Sequence, residues 1–507
     1  MKKFIKSIIS IGVLLSIMFT SSQSIVMAAP SAPPSGGKPG VQSENSGAPG
    51  GSSSSNITHT GATTISSDTT NTGSNYSSTT GSENALLVDG GTSTITNATV
   101  TKSGDSSGDD ADFYGTNAAI MTKSGTLNIN GGSITTNGSH ANAVFAYSSG
   151  VINISDATIK TTSNNSGAVM VTGGGTLTAN NVTAETDGNS SAPIRSDRGG
   201  GTLTVNGGTY TSHGTGSPVI YSTADITVNN ATLTSTASEG VVVEGKNSVT
   251  LNNVTMEATN TKLNGNSETY KSIFIYQSMS GDADVGTSSF TAKDSKIVNN
   301  KGEIIFVTNT STVIDLENNE IINNDKDGAF IKIGAAKWGT SGSNGGIVTL
   351  NAKNQKIEGD AIVDSISTLD LVLSDGSSYS GTINGDNTAK KIAVKLDSSS
   401  TLTLTGDSYI TSLENELEDN SNINLNGYTL YVNGTSITST DYAGNTEASQ
   451  KDESEDESTE VKQTNDNSSN QEASVPVIVI GVCTALLVVV IGIYVIIKKK
   501  DKKNINN

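Results

Sequence analysis

Cysteine is almost missing from this sequence of 507 residues, since Cys483 is the only one, and a framework of internal disulfides is therefore excluded. Aromatic residues make up 4% and hydrophobic residues 33% of the chain, which is thin for an ordinary globular core. The net charge of −19 argues against nucleic acid as a partner. Such a composition fits either a disordered chain or a β-solenoid, and only periodic apolar positions separate the two.

Catalytic motifs are also lacking. The three histidines, His59, His140 and His213, are far apart, and they form neither a metal-binding pair nor part of a Ser/His/Asp arrangement. No glycine-rich phosphate loop is found either. We therefore assign no catalytic residue and leave enzymatic activity open.

A block of about two dozen residues recurs, and this repeat predicts the fold. Its copies begin with segments such as Thr-Leu-Asn-Ile-Asn and Thr-Leu-Thr-Val-Asn, and the steps between their first apolar residues are 25, 25, 26, 23 and 23 residues. These apolar residues are Leu127, Ile152, Leu177, Leu203, Ile226 and Val249. A period in this range is typical of a solenoid, because one repeat cannot bury its own apolar face.

Each repeat contains three short strands separated by turn residues. In residues 201–224, Leu203 and Val205 mark a first strand, Tyr210 a second and Pro218 to Tyr221 a third. The predicted class is therefore all-β, a three-sided parallel β-helix over residues 56–440, with one C-terminal transmembrane α-helix. An asparagine column after the first strand predicts a hydrogen-bonded ladder of Asn130, Asn180, Asn206, Asn229 and Asn252.

The third strand is apolar on both faces. We expect one interior stack of Leu86, Ile120, Phe145, Met170, Ile194, Val219 and Val242. The other face either forms an exposed apolar strip or is covered by an inserted segment. Three insertions could project from the rod and hold function, namely residues 102–115, 258–286 and 334–346, the last with the only tryptophan, Trp338.

With its Thr-Leu-Thr-Val-Asn repeats and its asparagine column, the chain resembles bacterial cell-surface proteins with a right-handed parallel β-helix. That group includes pectate-lyase-like enzymes and adhesins. The resemblance covers roughly residues 56–440 and carries no catalytic motif, so it implies a fold rather than an activity.

The two ends of the chain predict a location. The basic start and the apolar run that follows indicate a secretory signal peptide, and Val475 to Ile497 is long enough to cross a bilayer. Lysines directly after this span place the C-terminus in the cytoplasm. The segments outside the repeats are a signal peptide (1–28), a flexible Pro/Gly/Ser-rich linker (29–55), an acidic disordered stalk (441–474), the transmembrane helix (475–497) and a basic cytoplasmic tail (498–507). The sequence thus predicts a single-pass protein of a bacterial cell membrane with an extracellular repeat region.

Arginine occurs at only two positions, 195 and 198, on either side of Asp197. Such a pair suits forked contacts to a carboxylate, although a local salt bridge to Asp197 or Glu244 that stabilises the turn is the simpler explanation. Together with nearby aromatic residues, these side chains form the predicted ligand-binding set: Tyr147, Arg195, Asp197, Arg198, Tyr221 and Glu244.

Four aspartates in the first insertion, Asp105, Asp109, Asp110 and Asp112, form a candidate calcium site, because calcium prefers several oxygen ligands. Their spacing is not that of an EF-hand, and solvated carboxylates are the alternative. No other cofactor is predicted.

These observations favour a membrane-anchored adhesin or glycan-binding rod. Its partner would be a surface glycan or a protein of a host or of the cell envelope. Two alternatives stay open: a polysaccharide lyase or glycoside hydrolase of the pectate-lyase-like fold, and a passive structural spacer of the cell envelope.

Overall fold

The structure is a computed structural model that describes residues 57–437 except residue 266. In this range the chain forms a parallel β-solenoid of about 15 turns, which confirms the all-β prediction. The predicted signal peptide, linker, acidic stalk, transmembrane helix and basic tail all lie outside the described residues. No helix of the described part has the length and apolarity needed to cross a membrane.

Each turn, or rung, contributes strands to three walls. Wall 1 contains Thr69–Thr72, the second parts of Asn84–Thr96 and Ile120–Asn130, Val151–Ser155, Gly175–Asn180, Gly201–Asn206, Asp225–Asn229, Ser248–Asn252, Thr287–Lys293, Thr310–Glu317, Gly346–Lys353, Thr368–Ser374, Lys391–Leu396 and Ser412–Asn415. Wall 2 contains Asn75–Ser78, Thr99–Lys102, Ser133–Thr136, Thr158–Thr161, Thr183–Thr186, Thr209–Ser212, Thr232–Ser235, Thr255–Ala258, Lys296–Asn299, Glu320–Asn323, Lys356–Glu358, Ser378–Gly381, Thr401–Leu404 and Ile423–Asn424.

Wall 3 contains Gly61–Ile65, the first parts of Asn84–Thr96 and Ile120–Asn130, Val144–Tyr147, Val169–Thr172, Ile194–Ser196, Ile220–Ser222, Val241–Glu244, Lys271–Tyr276, Glu303–Thr308, Ile331–Ile333, Ala361–Val363, Ser408–Ile410 and Leu430–Val432. Two long strands pass from wall 3 into wall 1, so the two walls join into one sheet. The short strand Thr435–Ser436 pairs antiparallel with Leu430–Val432 at the end of the described solenoid. The one helix of the described part, α1, is Asp109–Tyr114.

Wall 1 follows the repeat read from the sequence. Leu177 pairs with Ile152 on one side and with Leu203 on the other, and all three are buried. One interior column continues in this way through Leu127, Ile152, Leu177, Leu203, Ile226, Val249, Phe290, Ile314, Leu350, Leu371 and Val394. Each apolar side chain is covered by those of the rungs above and below. This burial stabilises the fold by about 25 cal/mol per Å² of apolar surface removed from water.

The predicted interior stack of wall 3 is wrong in part. The column that faces the core is Leu86, Ile120, Val144, Val169, Ile194, Ile220 and Val241. Phe145, Met170 and Val242 belong to the neighbouring column, which faces away from the core, and Val219 precedes its strand. The error is a shift of one residue, and in a strand such a shift exchanges the two faces.

The asparagine ladder is confirmed over four rungs. The side-chain amide of Asn206 donates to Oδ1 of Asn180 at 2.9 Å, and Asn229 and Asn252 repeat this bond at the same distance. Ser155 separates these four residues from Asn130 in the column. The following corner residue is left-handed in rung after rung, with φ of 51° at Asn181 and 71° at Gly207, which explains why this corner selects Asn, Asp and Gly.

Replacing Asn206 with alanine removes one donated and one accepted hydrogen bond inside the ladder. We expect Asn206→Ala to lower the free energy of unfolding by about 1–3 kcal/mol, measured as a lower thermal unfolding midpoint by circular dichroism. The matched control is Asn130→Ala, because Asn130 is exposed and lies beyond Ser155. Equal effects of the two substitutions would contradict a stabilising ladder.

A candidate ligand-binding groove on wall 3

The outward column of wall 3 is apolar along much of its length, and inserted segments cover it. Phe145 and Met170 are fully buried, and Val242, Phe274 and Phe306 are at most 5% exposed. The exposed apolar strip considered from the sequence is therefore not found along these rungs. Between its two covered stretches the column contains Arg195 and Tyr221, and a groove opens there.

The first cover is the helical insertion, residues 103–118, which contains α1. Its Gly115 has φ of 69°, and a Cβ added there would lie 2.8 Å from Cγ of Phe145, so only glycine fits both the backbone and the contact. The hydroxyl of Thr172 donates to the carbonyl oxygen of Phe113 at 2.7 Å. His59 contacts the carbonyl oxygen of Tyr114, also at 2.7 Å. These contacts hold α1 against wall 3.

The second cover is an aromatic cluster. Trp338, from the insertion of residues 334–345, lies with its ring centroid 5.2 Å from those of Phe274 and Tyr276. Phe274 stacks on Tyr276 and Phe306 in the same region. Trp338 and Tyr276 are half-buried, so one part of this cluster remains accessible from the solvent.

The groove lies between the two covers and consists of two adjoining parts. The larger part, of about 300 Å³, is lined by polar side chains that include Asp112, Arg195, Asp197, Tyr221 and Asp282. The smaller part, of about 90 Å³, is lined by Glu239, Lys271, Phe274, Tyr276 and Trp338, among others. Tyr221, Tyr276 and Asn264 line both parts, so the two form one elongated surface.

Arg195 and Asp197 form a buried ion pair at the base of the larger part. Nη2 of Arg195 lies 3.0 Å from Oδ2 of Asp197, and Nη1 donates to the carbonyl oxygen of Ser190. Burial raises the pKa of Asp197 to about 6, although the charge of Arg195 acts in the opposite direction. The local salt bridge weighed in the sequence analysis is thus present, and it forms part of the groove wall.

Glu244 lies behind the groove and holds its two tyrosines. Both phenol groups donate to Oε2 of Glu244, Tyr221 at 2.5 Å and Tyr276 at 2.9 Å, and Ser278 donates to the other oxygen. Burial, the neighbouring tyrosine and the Glu244 carboxylate raise the pKa of Tyr221 well above its usual value. For Tyr276, burial and then Glu244 raise the pKa in the same way. Both phenols therefore stay protonated at neutral pH.

Arg198 connects two insertions that are far apart in sequence. Its Nη1 lies 2.9 Å from Oδ2 of Asp109 in α1, and its Nε lies 2.7 Å from Oδ1 of Asp282. The guanidinium carbon is 3.8 Å from the centroid of the Phe113 ring. Arg198 thereby fixes one side of the groove, with forked contacts that a lysine could not make.

A second buried ion pair supports the smaller part. Nζ of Lys271 lies 2.9 Å from Oε1 of Glu239 and 4.3 Å from the centroid of the Phe274 ring. Burial favours a higher pKa for Glu239, but the charge of Lys271 and the hydrogen bonds from Ser238 and Lys271 together outweigh it, so the pKa of Glu239 is lowered. This carboxylate therefore stays ionised and neutralises the lysine.

The structure brings most of the predicted ligand-binding residues together. Arg195, Asp197 and Tyr221 line the groove, and Glu244 and Arg198 support it. Tyr147 does not line it, because its ring packs beside His59 and Tyr114 at the helical insertion.

The four aspartates of the candidate calcium site have different surroundings. Asp105 accepts from the backbone of Ser139, Asp109 pairs with Arg198, and Asp112 contacts His140 at 2.7 Å. Asp110 accepts through its backbone oxygen at the end of α1. In the described part, the group with metal-binding geometry is a different one, Glu185, Asp187 and His213, whose carboxylates both contact Lys160. Calcium binding stays a prediction.

Three groove residues were absent from the predicted ligand-binding set: Tyr276, at the end of the wall 3 strand Lys271–Tyr276, and Asp282 and Trp338, which inserted segments supply. Tyr276 could have been found from the sequence, because aligning Val242 with Phe274 on the next rung also aligns Glu244 with Tyr276. Aligning wall 3 one residue differently would have placed Arg195, Tyr221, Val242 and Phe274 in one outward column.

The fold and the groove define the chain as a parallel β-solenoid with a partly covered outer face. No protein-family model, no curated protein and no solved structure matches the chain. The finer resemblance, to pectate-lyase-like and adhesin-type proteins, stays a prediction.

The raised pKa of Asp197 predicts a specific pH dependence of stability. Between about pH 4 and pH 6 the folded protein keeps the proton on Asp197 while the unfolded chain releases it, so this contribution to stability falls as pH rises. The two-unit shift corresponds to at most about 3 kcal/mol. We therefore expect the melting temperature of the wild type to fall relative to that of Asp197→Asn as pH rises across this interval.

The measurement is thermal unfolding of both proteins at a series of pH values, and Asp225→Asn, an exposed carboxylate of wall 1, is the control. If the melting temperatures of the wild type and Asp197→Asn changed with pH in parallel, the raised pKa of Asp197 would be contradicted.

Proposed function

We propose that the repeat region binds a glycan along the wall 3 groove. The observation that carries the proposal is the junction of an accessible aromatic cluster, centred on Trp338, with a row of fixed polar groups that includes Asp112, Asp197 and Asp282. Sugar rings have apolar faces that pack on aromatic rings and hydroxyl groups that need hydrogen-bond partners. An elongated groove with both features suits several successive sugar units.

The groove is also rigid before any ligand arrives. Glu244 holds both tyrosines, and Arg198 connects the helical insertion with the segment of Asp282. A site with ordered side chains loses less conformational entropy on binding, which favours affinity.

We propose further that the protein acts at the surface of a bacterial cell as an adhesin, anchored by one C-terminal membrane span. This location rests on the basic and apolar patterns at the two ends of the sequence. The glycan would then belong to a neighbouring surface, and a protein of the cell envelope or of a host is the other partner class.

A polysaccharide-cleaving enzyme is the second candidate. The feature that favours it is Asp197, whose burial raises the pKa to about 6, in the range useful for a general acid or base. This candidate predicts release of reducing ends from a polysaccharide and loss of that release in Asp197→Asn.

A glycan array and a whole-cell binding assay with residues 30–446 test the proposal. We expect binding to a defined group of oligosaccharides and at least about tenfold weaker binding by Trp338→Ala, because stacking on the aromatic cluster is lost. Tyr428→Ala is the matched control, since Tyr428 is an exposed aromatic residue that does not line the groove. Absence of binding to every glycan would support the spacer alternative instead.

A further inference from the structure

The groove is acidic, and this property bears on which glycan it accepts. Its two parts are lined by four carboxylates, of Asp112, Asp197, Glu239 and Asp282, and by two cationic side chains, of Arg195 and Lys271. The formal charge of the lining is therefore −2. Adding Arg198 together with its second partner, Asp109, leaves this balance unchanged.

Neither lining cation is available to a ligand. Arg195 pairs with Asp197, and the side chains are 11% and 5% exposed. Lys271 pairs with Glu239, and its side chain has no exposed surface. At the rim, Lys337 beside Trp338 pairs with Glu268 at 2.9 Å. An anionic sugar would thus enter a site whose positive charges are already neutralised, and burying its charge there would be unfavourable.

The negative charges are less completely compensated. Asp112 contacts the ring of His140, which is charged only when protonated, and it interacts electrostatically with Arg195, which is already paired with Asp197. Asp282 shares Arg198 with Asp109. The side chains of Asp112 and Asp282 are 18% and 22% exposed, so both carboxylates reach the groove. Beneath them Glu244 is buried, with hydroxyl donors and no cationic partner among the described residues.

We propose that the groove selects sugar units that bear a free ammonium group, as in deacetylated hexosamines, and that it rejects uronates. This inference rests on the proposed glycan-binding function and names its ligand class. The ammonium group would lie near Asp112 and Asp282, while the sugar rings pack against Trp338 and Tyr276.

The position of Trp338 gives a direct measurement, because the only tryptophan of the chain lines the groove. Tryptophan fluorescence of the protein is titrated with oligomers of glucosamine, N-acetylglucosamine and galacturonate of equal length, at pH 7 and physiological salt. We expect the glucosamine oligomer to bind at least about tenfold more tightly than its acetylated form, and the galacturonate oligomer not to bind.

Asp282→Asn separates a specific contact from general attraction to a chain of net charge −19. This variant should weaken glucosamine binding several-fold more than it weakens N-acetylglucosamine binding, because only the amine form loses an attraction between opposite charges. Asp225→Asn, on wall 1, is the matched control and should change neither. Equal losses in the two variants would overturn the proposal, since the attraction would then be non-specific.

The remaining outcomes are also decisive. Galacturonate binding equal to or tighter than glucosamine binding would overturn the charge selection. Equal binding of the amine and acetyl forms would overturn the ammonium preference while leaving glycan binding intact. If none of the three binds but the array shows another glycan, this inference fails and the proposed function stands. If the array is blank as well, both fail.

Discussion

The stacking of equivalent side chains on successive rungs is the constraint on which the rest of the molecule depends. No single rung encloses a core, so each interior residue of wall 1, such as Leu203, is buried only because Leu177 and Ile226 lie on either side of it. The polar corners obey the same geometry, since the Asn206 amide can meet Asn180 only if every rung repeats the last. Apolar burial and the asparagine ladder therefore specify one and the same register.

The groove on wall 3 is created by the insertions that lie on either side of it. Two separate covers lie over the outward column of wall 3, and the rungs of Arg195 and Tyr221 are open between them. The site thus arises where a repeated element meets segments that do not repeat. This arrangement places rigid polar groups on the wall and the aromatic platform of Trp338 on an insertion.

The repeat period and the alternation in wall 1 were sufficient to predict the class, the three strands per rung and the asparagine ladder. The inward and outward faces of wall 3 could not be assigned in the same way, because apolar residues occupy both of them. A shift of one residue then leaves the hydrophobic pattern intact. Arg195 and Asp197 are neighbours in sequence, so their pairing was open to inference. The contacts of Arg198 with Asp109 and Asp282 were not, since they depend on how two non-repeating segments fold back onto the wall.

Arg198 also affects how this part of the solenoid would open. In a repeat array each unit is coupled only to its neighbours, so local unfolding can begin at any weak rung and spread. Arg198 joins Asp109 to Asp282 and so couples rungs that are separated by many intervening strands. We therefore expect the stretch between these aspartates to exchange its amide hydrogens as a single foldon, with fraying confined to the rungs outside it.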